Sequence, residues 1–416
     1  STLSSSSAAS DVYKRQTMIS VEEARARIVA DLKPVAVEIV GLAQAYERVL
    51  ARPVISRLTV PPGDVSAMDG YAVRAADTEL GKPLRLTGEA PAGHPFAGEV
   101  GPGEAVRIFT GSTIPNGADT VLIQENASIA ADLVEPAASV RAGLHIRRKG
   151  QDIQAGDEVL PAAARLSVRD IGLAAAAGHP WLAVHRRPRI AILCTGDEIA
   201  LPGEPLPAGG IANSNALMLS AFVAAHGGEP LVLPIARDAV GEVAQAALAA
   251  KGADLLLTTG GASVGAYDLV RQGLSQHGFA LDFWKIAMRP GKPLIFGRLG
   301  ELPVLGLPGN PVSAYVCAVL FLRAAIEALC GLPAEPPRFE SMRLAAPMRA
   351  NDMREDYVRA VIAKAADGEM RVTPLPVQDS GMLRALARSN ALIRRVPFSP
   401  AAQMDDYVEI LRLDHS

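Results

Sequence analysis

The sequence predicts a multidomain protein of α/β plus β class: a central parallel α/β domain flanked by β-rich segments, with helices joining the first two. Two patterns lead there. Four apolar strand-like runs alternate with helical runs between residues 189 and 329, as in a parallel sheet covered on both faces. Short apolar runs punctuated by Gly and Pro fill 55–153, and alternating runs return after about 337. The length, 416 residues, also exceeds one domain at about 150 residues each.

In chain order, the first 17 residues are Ser-rich and lack the apolar core of a secretory signal. They read as a disordered leader or a cloning remnant. Ser20 then caps a helix over 20–33, with Val21, Ala24, Ile28 and Leu32 on one face. Pro61-Pro62-Gly63, Pro91-Ala92-Gly93 and Gly101-Pro102-Gly103 mark turns of a small β-rich domain. A second helix, Ser167 to Ala177, stops at Gly178-His179-Pro180.

From residue 189 the expected strands are Ile190–Leu193, Leu231–Ile235, Asp254–Leu257 and Val304–Leu307. The helices between and after them are Asn215–Ala225, Val240–Ala250 and Val312–Leu329. Strands near Tyr357–Ile362, Met370–Thr373, Ala391–Arg395 and Tyr407–Leu411 complete the chain, without an internal repeat.

Composition excludes several functions. Lys and Arg total 41 against 44 Asp and Glu, a net charge of −3, so the basic excess of a general nucleic-acid binder is missing. Aromatics at 4% argue against a base-stacking surface. Cys194, Cys317 and Cys330 form no C-x-x-C pair, which leaves neither a disulfide framework nor a thiolate zinc site. They read as buried small hydrophobes in a reducing cytoplasm. The longest apolar run, Ala314–Leu322, breaks at Arg323 and reads as a buried helix rather than a membrane span.

Open α/β sheets bind ligands at the carboxyl ends of their strands. Those ends carry Thr195-Gly196-Asp197-Glu198, Arg237-Asp238, the loop from Thr258 through Gly260, Gly261 and Ser263 to Asp268, and Pro308-Gly309-Asn310-Pro311-Val312-Ser313. The Gly260-Gly261 turn either lets backbone N–H groups approach a phosphate or is simply a tight turn. The Pro308–Pro311 loop either presents a helix N-terminus to an anion, with Ser313 as donor, or merely starts a helix. Lys285, Arg289 and Lys292 punctuate a proline-stiffened segment ending at Pro293, a clamp for an oxyanion or a solvated face. Glu198, Asp238 and Asp268 end three strands, and such carboxylates hold Mg²⁺ beside phosphates. In the β-rich segment, Asp69, Thr110 and Asp152 stand at Gly-containing turns.

Six motifs, taken together, resemble the molybdopterin molybdenumtransferase family, the bacterial MoeA proteins and the gephyrin E domain. They are Ser66-Ala67-Met68-Asp69-Gly70-Tyr71-Ala72, Ile108-Phe109-Thr110-Gly111, Thr195–Glu198, Thr259–Gly265, Pro290-Gly291-Lys292-Pro293 and Leu307–Pro311. The resemblance implies an elongated domain I from 18–55 with 154–188, a β-rich domain II at 56–153, a molybdopterin-binding domain III at 189–336 and a barrel-like domain IV at 337–416. It further implies a homodimer whose cleft joins domain III of one subunit to domain II of the other, supplied by a molybdopterin adenylyltransferase, without nucleic acid or membrane.

The implied reaction converts adenylylated molybdopterin and molybdate into molybdenum cofactor and AMP. Asp69, Thr110 and Asp152 would act there with Glu198, Asp238, Asp268 and Lys285, while Thr195, Gly196, Gly260, Gly261, Ser263, Pro308, Gly309 and Asn310 would bind the substrate. Arg289, Lys292, Ser313, Arg359 and Ser380 would face molybdate, with Pro293 among the substrate-binding residues. Arg289 stands where many members have lysine, and Ser389-Asn390-Ala391 replaces a more usual Ala-Asn-Gly. The alternatives are a molybdopterin adenylyltransferase, which consists of the α/β domain alone, and a non-catalytic scaffold.

Overall fold

A computed structural model describes residues 18–260 and 266–413, with only the backbone described at 266–268. Expected site residues Gly261 and Ser263, and the side chain of Asp268, lie outside the described residues. Two compact units emerge, one of residues 39–184 and one that joins the N-terminal stretch through 38 to residues 185 onward.

In the second of these, helix α1 (Val21–Asp31) starts where the Ser20 side chain accepts from the Glu23 N–H, and it buries Val21, Ala24 and Ile28. Arg298 clamps its end, with Nε 2.9 Å from each Asp31 carboxylate oxygen.

The 39–184 unit holds a six-stranded sheet of β1 (Gly70–Val73), β2 (Leu84–Ala90), β3 (Glu104–Ile108), β4 (Thr120–Ile123), β5 (Ala127–Ala130) and β6 (Leu133–Pro136), in order β4-β1-β3-β2-β6-β5. Strand alternation feeds a core on each face. Tyr71 and Val73 join Leu84, Leu122 and Val134, while Ala72 joins Val100, Val106 and Val121. A third cluster gathers Leu50 and Val54 with Leu160, Leu166, Leu182 and Val184, beside helix α2 (Val168–Ala176) and its Ser167–Asp170 capping box.

The larger unit contains the α/β sheet. Its elements are β7 (Arg189–Thr195), α3 (Ser214–Ala225), β8 (Glu229–Val232), α4 (Val240–Leu248), β9 (Leu255–Gly260), α5 (Ala266–Ser275), β10 (Phe279–Lys285), β11 (Pro293–Leu299) and β12 (Leu302–Pro308). Their order is β8-β7-β9-β12-β11-β10. The first four are parallel, as the sequence suggests. Strand β11 runs antiparallel to β12 and β10 antiparallel to β11, so the sheet is mixed rather than purely parallel. The extra pair escapes sequence reading because β10 is half exposed and interleaves Asp282 and Lys285 with its apolar residues.

The second expected strand also shifts toward the N-terminus, ending at Val232, since Pro234 has no N–H to extend the ladder. Arg186 anchors the amino-terminal ends of β7 and β9 through a bidentate pair to Asp254 at 2.7 and 2.6 Å.

Helical residues Pro311–Leu329 follow, widened to a π turn at Ala318–Leu322. By length and hydropathy this stretch could cross a membrane, but 78% of its apolar window is buried in the unit, which makes it a core helix. All three cysteines are buried and free.

The chain closes with β13 (Glu340–Leu344), β14 (Glu355–Lys364), β15 (Met370–Pro374), β16 (Ala391–Arg395) and β17 (Tyr407–Arg412). Each pairs with its neighbour in the cycle β14-β15-β13-β17-β16 and back to β14, a closed five-stranded barrel. Closure removes the open edges a small sheet would otherwise expose. Met342, Leu344, Val372, Ile393 and Ile410 fill it.

Gly70 shows how tightly the 39–184 sheet is packed: a Cβ there would lie 2.1 Å from the Leu122 carbonyl oxygen. Backbone cannot swing aside as a side-chain tip can. Gly70→Ala should lower stability by about 1–3 kcal/mol, while Gly63→Ala, with open space around it, should be neutral. Urea unfolding midpoints compare the two; equal midpoints would refute the packing argument.

Candidate functional site

In the larger unit, a cavity of about 550 Å³ opens at the carboxyl ends of β7, β9 and β12, lined by Thr195, Glu198, Asn215, Thr259, Gly260, Gly309 and Asn310 among others. The sequence placed all of these but Asn215 and Thr259 in the site. Gly196 is there for a steric reason: its φ is 151°, and a Cβ would lie 2.7 Å from Glu198 Oε2. Only glycine lets that carboxylate fold back over the turn.

Hydrogen bonds fix the cavity wall. The Thr259 hydroxyl donates to the Pro308 carbonyl at 3.0 Å. Asn215 Nδ2 donates to Thr259 Oγ1 at 3.0 Å and to the Gly309 carbonyl at 2.7 Å. Asn215 is a residue that sequence reasoning passed over, because at the first turn of α3 it looks like an ordinary helix start.

A second cavity, of about 410 Å³, is lined by Arg289, Lys292, Pro293, Ser313, Arg354 and Ser380, together with Gln378 and the acidic Asp379. Asn310 ties it to the first, donating from Nδ2 to Ser380 Oγ at 2.7 Å, while Val312 N–H donates to the Ser380 carbonyl at 3.1 Å. Ser380 lies beyond the first barrel strands, about seventy positions from Asn310, so this contact joins two domains within one unit.

The expected cations divide into different roles. Lys292 is exposed and, among the described residues, has no ion pair. Arg289 spends its fork on Asp356, with Nε–Oδ1 at 2.9 Å and Nη2–Oδ2 at 2.6 Å, and Asp352 lies 3.7 Å away. Arg359 does not reach the cavity. It is 1% exposed, and its guanidinium donates to the Asp379 carbonyl at 2.8 Å, bracing the segment that carries Ser380. The cavity instead receives Arg354, five positions earlier; no motif marks it in the sequence.

Glu198 and Asp238 form an acidic patch with Asp197. Burial, then Glu198, then Asp197 push the Asp238 carboxyl above the usual range, against a smaller opposing backbone hydrogen bond from Asp197. Separately, the Asp238 N–H donates to the Asp197 carboxylate at 3.2 Å. Among the described residues no three His, Cys, Asp or Glu side chains group as a metal cage. Mg²⁺ does not require one, since it is held by one or two carboxylates plus phosphates and waters. The crowded negative charge at Asp238 and Glu198 fits that mode.

In the 39–184 unit, Asp69 Oδ1 accepts from Thr110 N–H at 2.7 Å and from the Thr110 hydroxyl at 2.8 Å. Those two bonds hold its carboxyl below the usual range. Asp152 is exposed on a segment whose N–H donates to Val60, and its carboxylate makes no hydrogen bond among the described residues.

A molybdopterin-type α/β domain, joined to a closed barrel and accompanied by a β-rich unit, defines the class of protein. Residues 19–178 match the MoeA N-terminal region (domain I and II), 191–328 a probable molybdopterin binding domain and 341–397 the MoeA C-terminal region (domain IV). A molybdopterin molybdenumtransferase of Nostoc sp. is 38% identical over 85% of this chain and 84% of its own. One from Haemophilus influenzae is 34% identical over 90% and 94% respectively. The solved molybdopterin biosynthesis moeA protein of Pyrococcus horikoshii superposes with a TM-score of 0.81 at 27% identity, covering 95% of this chain and 100% of that one. The chain belongs to the MoeA family of molybdopterin molybdenumtransferases.

Because a hydroxyl and an N–H share the work at Asp69, Thr110→Val should raise the Asp69 pKa partway toward that of a free carboxylate, and Thr110→Ser should not. Carboxyl carbon shifts followed against pH read this out. An unchanged Asp69 titration in the valine variant would contradict it.

Proposed function

We propose that the chain inserts molybdenum from molybdate into adenylylated molybdopterin with release of AMP. The observation that carries this reading is the pair of linked cavities, one at the strand ends with polar backbone and the Glu198 carboxylate, the other lined by Arg289, Lys292, Arg354 and the Ser313 and Ser380 hydroxyls. A phosphoanhydride and a tetrahedral oxyanion must meet in the reaction, and the Asn310–Ser380 bond ties the walls of their two sites together.

In the first cavity, Thr195, Gly260 and Gly309 accept the pterin and its phosphates, with Gly196 and Pro308 next to them in the chain. Glu198, Asp238 and Asp268 are the carboxylates that would hold Mg²⁺, which when bound offsets charge on the phosphates. Lys285, at the same sheet edge, stabilises the departing AMP. In the second cavity, Lys292 and Arg354 attract molybdate, and the Ser313 and Ser380 hydroxyls donate to its oxygens. Arg289 contributes residual charge while its fork holds Asp356. Arg359 keeps Ser380 in place.

The dimer implied by the resemblance would bring Asp69, Thr110 and Asp152 of one subunit beside the α/β domain of the other. A cytoplasmic protein acting after a molybdopterin adenylyltransferase fits the same reading. An adenylyltransferase needs only the α/β domain, whereas this chain also carries the barrel and the 39–184 unit.

The purified protein, given adenylylated molybdopterin, molybdate and Mg²⁺, should release AMP in proportion to molybdate. AMP release indifferent to molybdate, or ATP consumption with free molybdopterin, would overturn the assignment. Lys292→Ala should raise the half-saturating molybdate concentration about tenfold to a hundredfold, the loss of one charged hydrogen bond, with kcat little changed. An unaltered molybdate dependence would remove Lys292 from the oxyanion site.

A further inference from the structure

Lys285 closes β10, which runs parallel to β12 because two antiparallel pairings separate them. Its end therefore emerges at the same edge of the sheet as Thr195, Gly260 and Pro308. Successive side chains in a regular strand point to opposite faces. Here the register with β11 breaks between Phe283 and Lys285, and the Lys285 ammonium folds back to 3.8 Å from the centre of the neighbouring Trp284 ring. The backbone is pinned beside it: the Lys285 carbonyl accepts from Ile19 N–H at 3.3 Å, and Ile286 N–H donates to the Lys292 carbonyl at 3.0 Å.

Among the described residues, Lys285 has no carboxylate partner. A carboxylate would fix the lysine but cancel its charge. An aromatic face holds a cation while leaving it one, and tryptophan provides the strongest such face. Trp284 also carries a buried Nε1–H with no acceptor among the described residues. An unpaired donor is a cost, so what the indole gives in return is its face rather than its N–H.

We propose that Trp284 is the positioning residue for Lys285: its ring holds the flexible ammonium, still fully charged, where the phosphoanhydride of the substrate will lie. This rests on the AMP-releasing reaction proposed above, in which Lys285 stabilises the leaving phosphate. Trp284 touches no reacting atom in this account and acts through the lysine.

Two measurements test it. Trp181 and Trp284 are the two tryptophans of the chain, and Trp181 is 58% exposed, so Trp181→Phe leaves Trp284 as the single reporter. In that background Lys285→Met should change the Trp284 emission at 295 nm excitation; identical spectra would show that ammonium and indole do not meet. In turnover, Trp284→Leu should lower kcat about threefold to thirtyfold, with the molybdate KM and the urea midpoint unchanged. Trp284→Phe, which keeps a ring, should recover most of it. Full activity in the leucine variant, or equal loss in both variants, would overturn the proposal. If the native protein itself released no AMP, the reaction would fall instead, and the emission comparison would still decide whether the indole holds the lysine.

Discussion

Three hydrogen bonds at the ends of β9 and β12 hold the rest of the site in register. Thr259 reaches the Pro308 carbonyl, and Asn215 reaches both Thr259 and the Gly309 carbonyl. The donors can be ordered without ambiguity. The Pro308 carbonyl can only accept, so the Thr259 hydroxyl donates to it and must accept from Asn215. The Gly309 carbonyl likewise requires the Asn215 NH₂. With the amide oriented, the helix start, two strand ends and the Pro-Gly-Asn loop become one body. Asn310 extends that body to Ser380 and hence to the barrel. Bonds to carbonyls that would otherwise be buried and unmade are costly to lose, which is why a few polar side chains can set so much geometry.

The same economy applies to charge. With near-balanced acidic and basic residues, the protein attracts an anion only by keeping selected cations uncompensated. Arg186, Arg289, Arg298 and Arg394 are all committed to carboxylates. Arg359 is committed to carbonyls. What remains toward the second cavity is the exposed ammonium of Lys292; Arg354 also lines it but is paired with Asp352 at 2.9 Å, and Asp352 lies within 3.7 Å of Arg289. Substituting arginine for lysine at 289 thus changes the role of the position. A planar fork can bridge to Asp356 and stitch the cationic turn to β14, where an ammonium would remain a point charge.

How much of this the sequence discloses follows the range of each signal. Helix caps, glycine stops and the strand-end loops are local, and the expected elements over 189–329 largely stand where periodicity places them. Thr195, Glu198, Gly260 and Asn310 were found because a topological rule assigns chemistry to strand ends. Asn215 was not, since its importance comes from partners 44 and 94 residues away that only the folded chain brings near. Arg354 was not, because its ion-pair partner Asp352 is local and only folding brings it to the cavity with Lys292 and Ser380. Arg359 shows the converse: a basic residue attributed to the oxyanion site turns inward to hold a loop. Neither β10 nor β11 was legible: β10 is half-exposed and bears charge, so it resembles a solvated segment, whereas β11 is a short buried run behind Pro293 that reads as part of the proline-stiffened cationic segment.

Missing that antiparallel pair matters for more than the strand count. In a purely parallel sheet, the segment after β10 would leave on a crossover helix and return from the opposite edge. Instead β11 turns straight back beside β10, with residues 286–292 as a short connection at the site edge. Lys285 ends one strand, Pro293 begins the next, and Arg289 and Lys292 occupy the turn between them. The cation clamp therefore owes its position to sheet topology: two strands running against each other confine its charges to the edge where the parallel strands end.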